Sequence, residues 1–288
     1  VFINSFNVYF QVFGSARAST AGGEMLGTMK GRTNVAMGVG IENVDSKDFQ
    51  QITNEVYRHF VQHLQSHGYE LVSPDEAAKT EVFSDWVRKQ GGQHNSAQSL
   101  GYLKATPEGY EYFIRKETKK GKEKTVLLAN QHIISSQLGN AIIAGVNFVF
   151  DFVSMKTFSN EFIGMSQVTG VPNYRFSRMV GDANNHTLSS ITFQFGKNLT
   201  AAEAALFNNL KSDTYSDKPV VNKKDKVRER AVAASTTIPD YASIIFVNDN
   251  NMNISHSLPV DHDLYVSECT RFMTQFIDVS MSRLKEVH

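Results

Sequence analysis

The chain has 288 residues and lacks most of the features that assign a protein to a chemistry at sight. It has one cysteine, Cys269, so no disulfide can form within it, and a disulfide-stapled scaffold is excluded. It has no excess of charge of one sign: Lys plus Arg and Asp plus Glu are 29 each. The basic footprint of a protein built around nucleic acid is therefore missing, and no nucleic-acid partner is expected. Long apolar runs are missing too. The longest, from Ala141 to Val153, is broken by Gly145, Asn147 and Asp151, and falls short of the ~18 residues that suggest a membrane-spanning helix. No GxSxG or HExxH occurs, and neither Gly22-Gly23 nor Gly38–Gly40 matches a phosphate-binding loop. No cofactor or small-molecule substrate is indicated.

What is present is a packed, patterned chain. Hydrophobic residues make up 41% and charged residues 20%, enough for a core. Residues 2–13 alternate, with Phe6, Val8, Phe10 and Val12 on one face and Asn7, Tyr9 and Gln11 on the other, which predicts a half-buried strand. The small-residue stretch 14–32 reads as a flexible loop or hairpin tip, and 33–41 as a strand able to pair with the first. Lys47–His67 carries Phe49, Ile52, Val56, Phe60 and Leu64 at helical spacing, with Asp45 or Ser46 as cap and Gly68 as stop. A strand is expected at Tyr69–Val72. A helix is expected after Ser73-Pro74-Asp75-Glu76, where cap, Pro and Glu stand in the right order, and another over about 82–89.

Further strands are expected at 110–114, 142–155, 191–195 and 242–247, with a helix from the capping pattern Thr200–Glu203 to about Leu210. A closing helix from about Leu264 to Val287 would bury Tyr265, Cys269, Phe272, Met273, Phe276 and Leu284. The fold class is α/β (α+β): a mixed sheet flanked by helices. One domain spans 1–288. Its core is about 1–89, 133–210 and 240–288, with insertions at about 90–132 and 211–239.

The order FINSFNVYF, DFQQITNEVYRHFVQHLQSHG, YELVS and PDEAAK, followed by AGVNFVFDFVSM and SSITFQFG, resembles the domain shared by the curli secretion-channel (CsgG-like) family and the N-terminal domain of TolB. The alternating strand, the Ser/Ala/Gly-rich loop and Ile52-Thr53-Asn54-Glu55-Val56-Tyr57 also resemble exported proteobacterial envelope proteins. The resemblance spans about half the chain and departs from it at 90–132 and 211–260. It implies a periplasmic or outer-membrane-associated location and partners that are other envelope proteins and further copies of the chain. The opening residue, Val1, suits a chain whose signal peptide has been removed and equally a trimmed segment.

Several side chains invite a chemical reading. His59, His63 and His67 are spaced four apart on one helix, so two imidazoles could share a metal ion. The plainer reading is a half-buried border of the apolar stripe. His256 and His262, with Asp261 and Asp263, could do acid–base or metal work. The carboxylates equally suit capping of the last helix, which is the favoured reading. The basic run from Arg115 to Lys124 suits a solvated turn, and Cys269 a buried small hydrophobe. The segment holding Ser15, Ala18, Ser19, Thr20, Gly22 and Gly23 reads as an interaction hairpin. Together these readings favour a non-enzymatic component of a cell-envelope assembly, part of a secretion or trans-envelope complex, with a metal-dependent hydrolase or a pore-forming oligomer as the alternatives. In the last of these, Phe2–Phe13 would be long enough to cross a membrane as a strand.

Overall fold

The computed structural model describes residues 1–21, 23–25, 28–30, 32–125, 131–161, 165–176, 179–182, 185–203, 220–224 and 254–287. The principal strands are β1 (Phe2–Gln11), β2 (Phe13–Ser19), β3 (Asn34–Glu42), β4 (Val87–Gln90), β5 (Asn95–Ser99), β6 (Tyr102–Ala105) and β7 (Glu111–Ile114). They continue with β8 (Ile143–Asn160), β9 (Met165–Phe176), β10 (Ser190–Phe195), β11 (Asn198–Glu203), β12 (Val220–Lys224) and β13 (His256–Pro259). The helices are α1 (Ser46–Ser66), α2 (Pro74–Ala77), α3 (Gln131–Gln137) and α4 (His262–Val287). The class is mixed α/β, as the sequence predicts.

β1 lies in the middle of the main sheet, in the order β11-β10-β8-β1-β6-β5. It runs parallel to β8, with Phe2 opposite Ile143 and Phe10 opposite Phe150, and antiparallel to β6. It is paired along both edges, and side chains on both its faces are buried. Phe6, Val8 and Phe10 are buried, but so are Asn7, Tyr9 and Gln11, and the half-buried strand expected from the alternation is corrected. In this structure β1 is an internal strand of the sheet. Asn95–Ala105, read as the start of an insertion, supplies two strands of the sheet.

Helices α1 and α4 pack on the face that carries Phe6, Phe10, Phe148 and Phe150. α1 begins where expected: the Asp45 carboxylate accepts from the Lys47 and Asp48 amides, and Asp48 Oδ2 accepts from the Asp45 amide at 2.7 Å. This reciprocal cap satisfies donors that the first helical turn leaves free. The whole apolar stripe of α1 is buried, and Phe49 stacks on Phe10 with ring centroids 4.6 Å apart. Gly68, with φ +83°, takes the left-handed conformation that ends the helix. On the opposite face a second apolar cluster of Phe2, Phe83, Phe113, Ile134 and Ile143 sits at one end of the sheet.

Beyond Val153 the chain builds a different structure. β8 continues as a ribbon with β9, β12 adds to β9, and this ribbon lies against a second one made of β2 and β3. Small residues permit the contact. A Cβ on Gly14 would lie 2.8 Å from Val153 Cγ1, and one on Gly170 would lie 3.1 Å from Val39. Farther out, the hydroxyls of Thr20, Thr33 and Ser166 form a buried chain with steps of 2.9 and 2.8 Å.

Four local expectations are overturned. Gly14–Ser19 is strand, not loop, and 34–42 pairs with it rather than with β1, because its partners begin past Val12. Tyr69–Val72 is no strand; the Val72 amide donates to Val1 O at 2.8 Å. Residues 82–89 form a single 3₁₀ turn and then β4, which pairs with β7. Thr200–Glu203 is the outer strand of a hairpin with β10, so a local capping pattern yields to ladder pairing. Residues 204–210, the expected strand 242–247 and all of 211–239 except β12 lie outside the described residues.

Candidate functional site

Three places gather side chains with chemistry. The first lies between α1 and α4. Positions 59 and 63 are one helical turn apart on α1, so both imidazoles leave the same face. α4 delivers Asp278 from 219 residues away. Asp278 Oδ1 lies 2.7 Å from His59 Nε2 and 2.9 Å from His63 Nε2, and the two rings meet edge to face at 4.6 Å. Among the described residues this is the one group of three or more His, Cys, Asp and Glu side chains whose ligand atoms converge, all within 4.8 Å. His67 does not join it. Its Nδ1 lies 2.8 Å from the His63 carbonyl oxygen at the end of α1.

The second place is the start of α4. Asp261 Oδ1 accepts from the Leu264 amide at 2.9 Å, which is the capping role expected of it. His262 sits between two carboxylates, with Nδ1 at 2.8 Å from Asp263 Oδ1 and Nε2 at 3.0 Å from Asp48 Oδ1. The hydrogen bonds to Asp263 and then to Asp48 raise its pKa to about 9. His256 is separate. Its Nδ1 lies 3.0 Å from Ser255 Oγ, and partial burial lowers its pKa.

The third place is the face of the sheet away from α1 and α4. Lys104 on β6 and Glu123 on the hairpin that follows β7 pair at 2.7 Å, both buried, and Lys89 and the Tyr112 hydroxyl reach the other carboxylate oxygen at 3.0 Å. Beside them, Asp151 accepts from the Tyr102 hydroxyl at 2.7 Å and lies 3.4 Å from Arg175 Nε, at the edge of an open cleft of about 440 Å³ between sheet and ribbons. At this edge β8 shifts register between Asp151 and Val153, and Gln11 Oε1 accepts from the Phe152 and Val153 amides that the irregularity leaves free.

Of the expected interaction residues, Ala18 and Thr20 are buried, while Ser15 and Ser19 are exposed on β2. Gly22 lies outside the described residues, and Gly23 begins a short strand paired to Thr28–Lys30. The sequence reading missed Asp278, which has no local signal, and the role of Asp151. The latter had a signal: it is the one acid in the apolar run, in phase with Asn147 and Val149 and out of phase with Phe148, Phe150 and Phe152. Cys269 is buried, as expected, beneath Tyr265.

No family model, curated protein or solved structure matches this chain.

Proposed function

We propose that this protein is a non-enzymatic component of a bacterial cell-envelope assembly, acting by protein–protein contact in the periplasm or at the outer membrane as part of a secretion or trans-envelope complex. The observation that carries the reading is the stacked pair of ribbons. β8 starts in the buried centre of the sheet, runs on for 18 residues, and ends with Lys156–Ser159 exposed; Phe158 there is 49% exposed. A strand continuous from core to exposed end holds a contact segment more rigidly than a loop does, and its main chain can recruit a partner's strand. The order of strand, small-residue segment and capped helix, on which the resemblance to envelope-assembly domains rests, supports the same reading.

Among the described residues no helix is long and apolar enough to cross a membrane. The exposed end of β8 reads Lys-Thr-Phe-Ser, without the apolar alternation of a lipid-facing strand, and this favours a protein partner over a pore. The test is extraction of the full chain from its native envelope at low detergent, with identification of what remains bound. Co-purifying envelope proteins, lost when residues 156–159 are replaced by Gly and Ser, are expected. A monodisperse monomer with nothing attached overturns the proposal.

A further inference from the structure

We infer that His59, His63 and Asp278 form a binding site for a divalent first-row transition-metal ion of the zinc class, which fastens α1 to α4. Two imidazole nitrogens and one carboxylate oxygen are a donor set that zinc and its neighbours accept, and zinc sites with three protein ligands leave a further position to water. The three groups are brought together by the fold, not by chance mobility. Phe60 on α1 and Ile277 on α4, next to the ligating positions, are fully buried and fix both backbones.

The arrangement also has the access a metal site needs. The side chains of His59, His63 and Asp278 are 31%, 30% and 48% exposed, so an ion can enter and water can complete its shell. Both imidazoles point their Nε2 atoms at the same carboxylate oxygen. An ion inserted among these three atoms replaces two hydrogen bonds to one acceptor by three ligand bonds: each Nε2 gives up the proton it donates to the carboxylate, and a ligating ring carries its remaining proton on Nδ1. One feature limits the affinity. His63 Nδ1 is buried without a hydrogen-bond partner, so the outer partner that usually orients a ligating imidazole is missing there. Loss of such a partner weakens binding by roughly 10–100-fold. The site is accordingly a clamp between helices rather than a sealed structural centre.

The inference is independent of the assembly proposal, since it involves neither ribbon. It is tested on the full chain at neutral pH with Zn²⁺ by equilibrium dialysis and elemental analysis, and with Co²⁺ by its visible absorption. One ion per chain is expected, with a rise in the thermal unfolding midpoint. His63→Gln and Asp278→Asn should each weaken binding by more than about 100-fold, above the loss from an outer partner, and abolish the midpoint shift. His262→Gln, which leaves the site intact, should change neither. Thermal unfolding without metal verifies that each variant folds, and His59→Gln stands in for either one that does not. Absence of binding at micromolar ion, or binding that survives both ligand substitutions, overturns the inference.

Discussion

Lys104 and Glu123 face each other at 2.7 Å with side chains only 4% and 3% exposed. Lys104 comes from the main sheet, and Glu123 from the small hairpin Lys116–Glu117 and Glu123–Lys124. The pair anchors a charge-rich segment, read from sequence as a solvated turn, to the sheet. Burial raises the Glu123 carboxyl, but Lys104, Lys89 and the Tyr112 hydroxyl outweigh this and hold it below the ordinary glutamate range.

Removing one partner strands the other charge away from water. Glu123→Gln is expected to lower stability by about 3–5 kcal/mol, whereas exposed Lys120→Gln on the same hairpin should stay within about 0.5 kcal/mol. Denaturant unfolding compares the two.

The same carboxylate sets an acid limit. Its pKa in the folded chain is lower than the ordinary value of 4.5, so its contribution is present above 4.5 and is lost as pH falls through the lower, folded value. Stability measured from pH 6 downward should decline below about 4.5, and Glu123→Gln should flatten that part of the curve.

His262 gives the opposite sign. Its pKa is raised to about 9, so the favourable pairing is fully present below 6.5 and fades as pH rises towards 9. The side chain is half exposed, so the stability effect is small and screened by salt. An NMR titration should place the His262 midpoint near 9, and Asp48→Asn should move it towards 6.5.

Phe148 joins both halves of the core, meeting Phe6 at 6.2 Å on the neighbouring strand and Phe276 at 5.6 Å on α4. Phe148→Ala should cost about 3–5 kcal/mol in denaturant unfolding, through lost burial and the cavity left behind.

Burial pushes the Cys269 thiol well above its ordinary range, against a lowering contact from Tyr265. A thiol reagent should leave the native chain unmodified and react at the rate of unfolding.

The parts of the fold that were legible from sequence are those where local and global signals agree. In α1 the cap at Asp45, the stripe from Phe49 to Leu64 and the stop at Gly68 all point the same way. In β2 they conflict. Gly14, Ser15, Ala16, Ala18 and Ser19 have loop composition, yet the close approach of Val153 needs small residues in a strand. Thr200–Glu203 satisfies a helix-start pattern and is overruled by its partner β10, which no local rule contains. The candidate site was half visible. His59 and His63 share a helix face by spacing alone, but Asp278 reaches them only through the packing of α4 on α1.

The central claim is that the exposed end of the β8–β9 ribbon contacts another protein. Because Cys269 is buried, a cysteine introduced at Phe158 is the only thiol that a crosslinker can reach in the folded chain. The measurement is crosslinking in intact envelopes from position 158, with a cysteine at Val279 on α4, which is no less exposed, as the control. The account predicts a discrete higher-mass adduct from 158 and none from 279. No adduct from 158, or the same adducts from both positions, would contradict it.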